Sequence, residues 1–308
     1  MFIKKSLISL LTLLLLGACG GGDGSTTTES GEKNVEGDTS GKKDKDIQEG
    51  DGKSAEVGPF DQNGCLIPSK KVVSQNRDPV NFDRIAAFQI ADVSLTQGAQ
   101  YSVRVEADDN LISETRTLKE GDSLKIDIDP AKFPNKTVCF NGTATYRVNI
   151  TLPLIEVLEA QGSSSITEKT SIPPSGQVAE LRTGGSSLIQ VVGIKVNTLK
   201  VTAQGSSMFH VDQIDTVALI TTLSGSSQTT LMGKVENHTL DLSGSRQLSA
   251  ENLASKKVTA TLSGSSNAEI SVSEELNATT QGSSILGYRG SPGVLNTSMS
   301  GSSQVIQR

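Results

Sequence analysis

Serine is the residue type whose repetition first suggests chemistry in this chain, because a serine hydroxyl can act as a nucleophile. From Gly162 onward a pair of serines follows a glycine again and again, as in Gly205-Ser206-Ser207. A catalytic nucleophile needs a single activated hydroxyl with a base beside it. A pair that recurs in coil after coil is better explained as a structural element, so the sequence predicts no catalytic residue.

The chain has only two histidines, His210 and His238. Neither is followed or preceded by a cysteine or a second histidine at a spacing typical of metal ligands. We therefore expect no metal site and no cofactor, and no acid–base pair is indicated. For each histidine we expect a solvent-exposed or packing role.

The elements that position the serines are defined by the spacing of eight glycines, which are separated by 23, 20, 20, 19, 20, 18 and 19 residues. A nearly constant period of about 20 residues is typical of a solenoid. These corner glycines are Gly162, Gly185, Gly205, Gly225, Gly244, Gly264, Gly282 and Gly301.

Polarity alternates on both sides of each corner. Residues four and six positions after the glycine are mostly apolar, as at Phe209 and Val211, whereas the residue between them is mostly polar. Residues three positions before the glycine are all polar, as at Thr202. A period of two indicates half-buried strands and excludes helices. The sequence therefore predicts an all-β fold, a right-handed parallel β-helix with coils of about 20 residues and Gly-Ser-Ser corners.

The corner residues have a structural reason in this fold. Glycine permits a positive φ without a Cβ clash, and serines are small enough to stack from coil to coil while their hydroxyls bond to neighbouring backbone or to each other. Residues 161–308 form this regular part. Arg246 departs from the serine pattern.

The amino terminus predicts an export signal at residues 1–18, with Lys4 and Lys5 before an apolar run at residues 7–16. Leu16-Gly17-Ala18-Cys19 resembles a bacterial lipobox. That resemblance implies cleavage before Cys19, lipidation of Cys19 and a membrane anchor. By the same resemblance, Gly20 rather than aspartate after the cysteine favours the outer membrane. Whether the protein faces the cell surface or the periplasm is left open.

Residues 19–58 combine the lipidated cysteine with a polar, low-complexity linker that cannot bury enough surface to fold. A flexible chain of this length spans about 35 Å. Cys65 and Cys139 are the other two cysteines. Export allows them to form a disulfide, and two separate buried thiols are the alternative.

Residues 59–160 are β-rich but irregular, and we expect them to form the first, wider coils and to cap that end of the β-helix. This segment resembles the opening of the GIN-domain family, which is labelled "putative auto-transporter adhesin head". The resemblance extends over about residues 76–308 and implies a β-helical domain of exported bacterial proteins. It rests on the segments 81–85 (NFDRI), 92–98 (DVSLTQG), 101–107 (YSVRVEA) and 121–126 (GDSLKI).

Charge limits the classes of partner. The whole chain has 28 Lys plus Arg and 34 Asp plus Glu, and loss of Lys4 and Lys5 with the signal leaves 26 against 34, a formal charge of −8. Nucleic acids require clustered basic groups, so we expect no nucleic-acid partner.

The functional prediction is a non-enzymatic envelope lipoprotein that presents a β-helical surface to an unidentified protein or glycan. A carbohydrate-active enzyme with its site before residue 160 is one alternative. A structural or assembly subunit is another, since an uncapped strand at residues 303–307 could pair with a further copy. An outward threonine column that includes Thr202 and Thr222 could order water as in ice-binding solenoids, but threonine is also favoured on exposed β-surface.

Overall fold

The computed structural model describes residues 58–170 and 178–308. These ranges contain nineteen β-strands and two short 3-10 turns, Ile112–Glu114 and Pro130–Lys132. The predicted all-β class is confirmed. The predicted signal peptide, the lipidation site Cys19 and linker residues 19–57 lie outside the described residues.

Nine strands precede residue 170. They are β1 Val72–Arg77, β2 Arg84–Ala87, β3 Asp92–Gln97, β4 Ser102–Asp108, β5 Thr115–Glu120, β6 Ser123–Ile128, β7 Tyr146–Leu152, β8 Val157–Ala160 and β9 Ser165–Glu168.

Ten strands follow residue 177. They are β10 Val178–Thr183, β11 Leu188–Val191, β12 Ile194–Ala203, β13 Met208–Gly225, β14 Gln228–Gly244, β15 Gln247–Gly264, β16 Asn267–Thr280, β17 Ile285–Arg289, β18 Val294–Met299 and β19 Gln304–Gln307.

Parallel pairing between coils builds the solenoid. Leu181 of β10 lies opposite Leu158 of β8 on one side and Val201 of β12 on the other. All three side chains are buried. In the regular coils from β8 to β17, strands therefore pair with their equivalents in the neighbouring coils, which confirms the predicted parallel β-solenoid and its spacing of about 20 residues.

The interior is filled by the inward columns that the alternation predicts. Phe209 and Leu248, four positions after their glycines, are buried, and so are Val211 and Ile270, six positions after theirs. One stacked core thus runs through the coils. Burial of this shared core, rather than any contact within a single coil, stabilises the fold.

Several coils contain a third paired strand segment, in addition to the two strands per coil that the alternation predicts. Between Val211 and Ile214 the register of β13 against β14 shifts, and the strand bends. A short segment follows, in which Lys195, Asp215 and Lys234 lie opposite one another in successive coils. This bend creates a further outward face that bears charged side chains.

The coils do not stack in chain order near the amino-terminal end. Ile85 of β2 lies between Leu124 of β6 and Leu158 of β8, and β3 lies in the same way between β7 and β9. The coil of β2 and β3 is therefore flanked by two coils that follow it in sequence. Beyond β6 and β7 the pairing becomes antiparallel, with β5 on β6, β4 on β7 and β1 on β4.

Candidate functional site

The eight predicted corner glycines form one column, and all of them have a positive φ. At Gly225, where φ is 97°, an added Cβ would lie 2.5 Å from the carbonyl oxygen of Gly205 in the preceding coil. The corner thus excludes side chains for two reasons, backbone conformation and the close approach of the neighbouring coil.

The two serines of each corner have different environments. Ser206 is exposed, whereas Ser207 is buried. The Ser207 hydroxyl donates a hydrogen bond of 2.9 Å to the carbonyl oxygen of Gln204, and Ser284 donates in the same way to Gln281. These buried hydroxyls are occupied by backbone carbonyls three residues earlier, which supports their structural role.

Two charged side chains occupy positions in the inward columns. Arg246 takes the place of a buried serine and donates from Nε and Nη2 to the carbonyl oxygen of Ser243, the same partner position that serine uses. Burial lowers the pKa of Arg246. Glu168 is buried too, and burial raises the pKa of its carboxyl group, whose Oε1 accepts a hydrogen bond from Thr170.

The structure separates the two histidines. His210 lies on the outer surface, half-exposed, with Nε2 at 2.6 Å from Oδ1 of Asp212. His238 lies inside the solenoid between Leu219 and Val258. Its Nε2 is 3.0 Å from the Thr221 hydroxyl, and burial lowers the pKa of His238 to about 4. His238 is therefore a neutral packing residue at neutral pH.

Cys65 and Cys139 lie next to each other, with their Cα atoms 4.7 Å apart and their sulfur atoms joined in a disulfide. The backbone N–H of Leu66 donates to the carbonyl of Cys139 beside it. The link ties the segment before β1 to the segment between β6 and β7, 74 residues apart in sequence.

Ionisable groups do converge in the irregular segment, as the enzyme alternative requires, but they are paired with one another. Arg116 donates from Nε and Nη2 to both carboxylate oxygens of Asp127, at 2.6 and 2.7 Å. Lys125 lies 3.5 Å from the same carboxylate, and Tyr146 donates its hydroxyl to the Asp127 carbonyl. Burial raises the pKa of Tyr146 above its usual range. Asp127 is thus engaged as an ion-pair partner rather than poised as a base.

A concave surface lies on the third face, and sequence analysis missed it. It is a groove of about 670 Å³ that crosses successive coils from Lys195 to Ser273. Val217 is exposed within it, and its charged side chains are Lys195, Asp215, Lys234, Glu236 and Lys256.

The groove's carboxylates are both matched by lysines. Asp215 Oδ2 lies 3.8 Å from Lys195 Nζ and 3.3 Å from Lys234 Nζ, and Glu236 Oε1 lies 3.1 Å from Lys256 Nζ. Three lysines against two carboxylates leave one positive charge. The side chains are long and solvent-exposed, so they can rearrange around a bound surface. This arrangement suits contact with a partner better than bond-breaking chemistry.

Within residues 58–170 and 178–308, no group of three or more His, Cys, Asp or Glu side chains is arranged to hold a metal ion. In the same ranges no helix is long and apolar enough to cross a membrane.

Solved structures from the genera Parabacteroides and Bacteroides share this fold. One, described as a "putative adhesin" from Parabacteroides merdae ATCC 43184, aligns with a TM-score of 0.71 and 17% identity over 80% of this chain and 99% of its own. Another, a "putative lipid binding protein" from Parabacteroides distasonis ATCC 8503, aligns with a TM-score of 0.70 and 20% identity over 79% and 99%. A third, a "putative adhesin" from Bacteroides fragilis NCTC 9343, has a TM-score of 0.55 and 18% identity over 79% and 100%.

No curated protein matches the chain. A family model does: the model described as "Putative auto-transporter adhesin, head GIN domain" matches residues 81–292. This range includes β2 to β17 and therefore most of the solenoid. The chain belongs to this GIN-domain family of adhesin-like proteins.

Proposed function

We propose that the protein is a non-enzymatic lipoprotein of the bacterial outer membrane, anchored through Cys19, whose β-helix binds a protein or glycan partner through the groove on its third face. The observation that carries the proposal is the groove itself, a concave surface of about 670 Å³ whose carboxylates are all paired with lysines. The family description, which names adhesin heads, supports a role in adhesion.

Binding is tested with a chain of residues 20–308, which retains every residue that the structure describes. Immobilised glycans, extracellular matrix proteins and envelope extracts serve as ligands. The Lys195→Glu and Lys234→Glu double variant reverses two groove charges beside Asp215, so we expect it to lose retention of the ligand that the unsubstituted chain binds. A matched control, Lys119→Glu with Lys132→Glu, changes the same total charge away from the groove.

An equal loss of ligand retention in both double variants would contradict a role for the groove. Failure of the unsubstituted chain to retain any ligand would contradict the adhesion proposal.

Anchoring is tested by radiolabelled palmitate in cells that express the full chain. We expect label in the unsubstituted protein and in Cys65→Ser, and none in Cys19→Ser, because only the cysteine after Leu-Gly-Ala is in the lipobox position. Label that persists in Cys19→Ser would contradict the anchor. Protease treatment of intact cells then distinguishes a surface location, which releases the domain, from a periplasmic one, which protects it.

A further inference from the structure

The coil of β18 and β19 leaves strand edges and apolar side chains uncovered. Among the described residues, β18 pairs with β16 alone and β19 pairs with β17 alone. Leu295 and Met299 lie in the inward columns above Leu276 and Thr280. Leu276 and Thr280 are fully buried, yet Leu295 is 48% exposed and Met299 is 54% exposed. Within residues 58–170 and 178–308, the interior of the solenoid is therefore open at this coil.

This open edge lacks the features by which sheet edges usually avoid pairing. Exposed edges of natural sheets commonly carry charges or proline. Residues 290–307 contain no Asp, Glu, Lys or Arg, and β18 and β19 contain no proline. When two copies of an uncharged surface meet, no like charges are brought together, so the composition favours contact with a second copy of the same chain.

The opposite end of the molecule is closed, which limits how a second copy can dock. Leu66, Leu111 and Phe133 are buried there, and the outermost antiparallel strands β1 and β5 carry Arg77 and Arg116 among other charges. Head-to-tail stacking would place the open coil against this closed, charged end. A two-fold arrangement instead joins the open coils of both copies.

We propose that the protein forms a two-fold symmetric dimer in which β18 of one copy pairs antiparallel with β18 of the other. Inward side chains must face inward side chains across the pair, because alternate residues point to opposite faces. Two registers near the centre of β18 satisfy this, with Asn296 opposite Asn296 or with Thr297 opposite Thr297. We choose the second, because it places Leu295 of each copy opposite Met299 of the other copy, so that these exposed apolar side chains cover one another.

A cysteine cross-link tests the register directly. In residues 20–308 Cys65 and Cys139 are joined to each other, so a Thr297→Cys substitution introduces the single free thiol. Residues directly opposite in an antiparallel pair have Cα atoms about 4.5–5.5 Å apart, within the range of a disulfide. Mild oxidation is expected to convert this variant to a covalent dimer. Ile220→Cys, at an exposed position on an earlier coil, is the matched control and is expected to stay monomeric on a denaturing gel.

Sedimentation equilibrium of the unsubstituted chain provides the second measurement, and a concentration-dependent dimer is expected. Leu295→Lys with Met299→Lys is expected to abolish it, because inward-pointing lysines bring four like charges together. Val217→Lys with Ile220→Lys, at similarly exposed positions, is expected to leave it intact.

A monomer at high micromolar concentration would overturn the proposal. So would a dimer that the Leu295 and Met299 changes leave unaffected, or a cross-link that forms equally well at Ile220. These outcomes are independent of groove binding, since the groove lies on a different face.

Discussion

At the scale of single residues, His238 couples the fold to pH. Its imidazole is enclosed between Leu219 and Val258, and burial lowers its pKa to about 4. In the unfolded chain a histidine has a pKa of about 6.5. Between these two values the unfolded chain therefore binds more protons than the folded one. The stability contribution is complete above about pH 6.5 and is lost as the pH falls toward 4.

Denaturant unfolding should show this loss. Between neutral pH and about pH 5, His238 is expected to reduce the free energy of unfolding by about 2 kcal/mol, because about 1.5 pH units of this interval lie below the unfolded-state pKa and each costs about 1.36 kcal/mol. The comparison is with His238→Leu, which matches the leucine and valine of the adjoining coils and removes the titrating group. Its unfolding free energy should fall less over the same interval.

His210→Gln is the matched control, because His210 is half-exposed and bonded to Asp212 on the surface. We expect it to keep the pH dependence of the unsubstituted protein. The assignment to His238 would be wrong if His238→Leu and the unsubstituted protein lost the same free energy on acidification.

The corner glycines allow a second comparison between residues. Gly225→Ala combines a positive φ with a Cβ placed 2.5 Å from the Gly205 carbonyl oxygen. Gly121 has a φ of 62° but nothing within 4 Å of the added Cβ. We expect Gly121→Ala to cost about 1 kcal/mol from backbone conformation alone, and Gly225→Ala to cost clearly more because the coils must separate. Calorimetric melting temperatures of the two variants check this order, and equal shifts would contradict it.

How far the sequence predicts these sites depends on whether a residue keeps a fixed distance from its corner. Phe209 and Val211 do, and their burial follows from the alternation. The groove residues Asp215 and Lys234 do not, because the bend between Val211 and Ile214 changes the register from coil to coil. The groove was therefore missed, although the alternation that continues through Ile194–Ala203 was a weak signal for it.

At the scale of elements, the Cys65–Cys139 link holds the closed end of the solenoid. It encloses a loop with a sequence separation of 74 residues, for which the chain-entropy model gives about 4 kcal/mol. Removing it is expected to loosen the segments around Phe60 and Phe140, which pack beside Phe133, more than the later coils, since each coil contacts mainly its neighbours.

Backbone hydrogen exchange of the double variant Cys65→Ser, Cys139→Ser measures where the chain becomes looser. Faster exchange is expected in residues 59–68 and 133–145, with protection retained from β12 onward. As a control, the intact mass of the unsubstituted protein is measured before and after alkylation, which shows whether Cys65 and Cys139 are joined or free. Uniformly faster exchange along the chain would contradict a local role for the link.

The positions of the strands in the sequence were largely predictable. The pairing partners of the strands near the closed end were not. Alternation over Leu124-Lys125-Ile126 predicts a strand there, and β6 is that strand. Nothing in the alternation specifies that β6 lies against β2 rather than beyond it in chain order. Pairing between strands distant in sequence depends on how complete coils fit, and a pattern of period two contains no information about it.

At the scale of the whole molecule, the repeated coils should be removable in whole units. Deletion of residues 245–264 joins Gly244 to Ser265 and preserves every remaining corner. Because each coil contributes one strand spacing, about 4.8 Å, we expect a folded protein that is shorter by about that length. Small-angle scattering measures the length of the molecule, and circular dichroism measures whether it is folded.

Deletion of residues 245–254 is the control, since it removes half a coil and displaces the next glycine from the corner column. That variant is expected to lose cooperative unfolding. If both deletions behaved alike, the coils would not be the independent stacking units that their register indicates.

The position of the β2–β3 coil between later coils has a consequence for biogenesis. β2 and β3 come before these partners in the chain, so their backbone groups find both sets of parallel partners only when residues 123–168 are also available. The coil of β2 and β3 is therefore complete only when residues 84–168, over eighty residues, are available together. From β10 onward each coil pairs with the coil that precedes it in the chain, so no later coil has to wait for residues beyond its own.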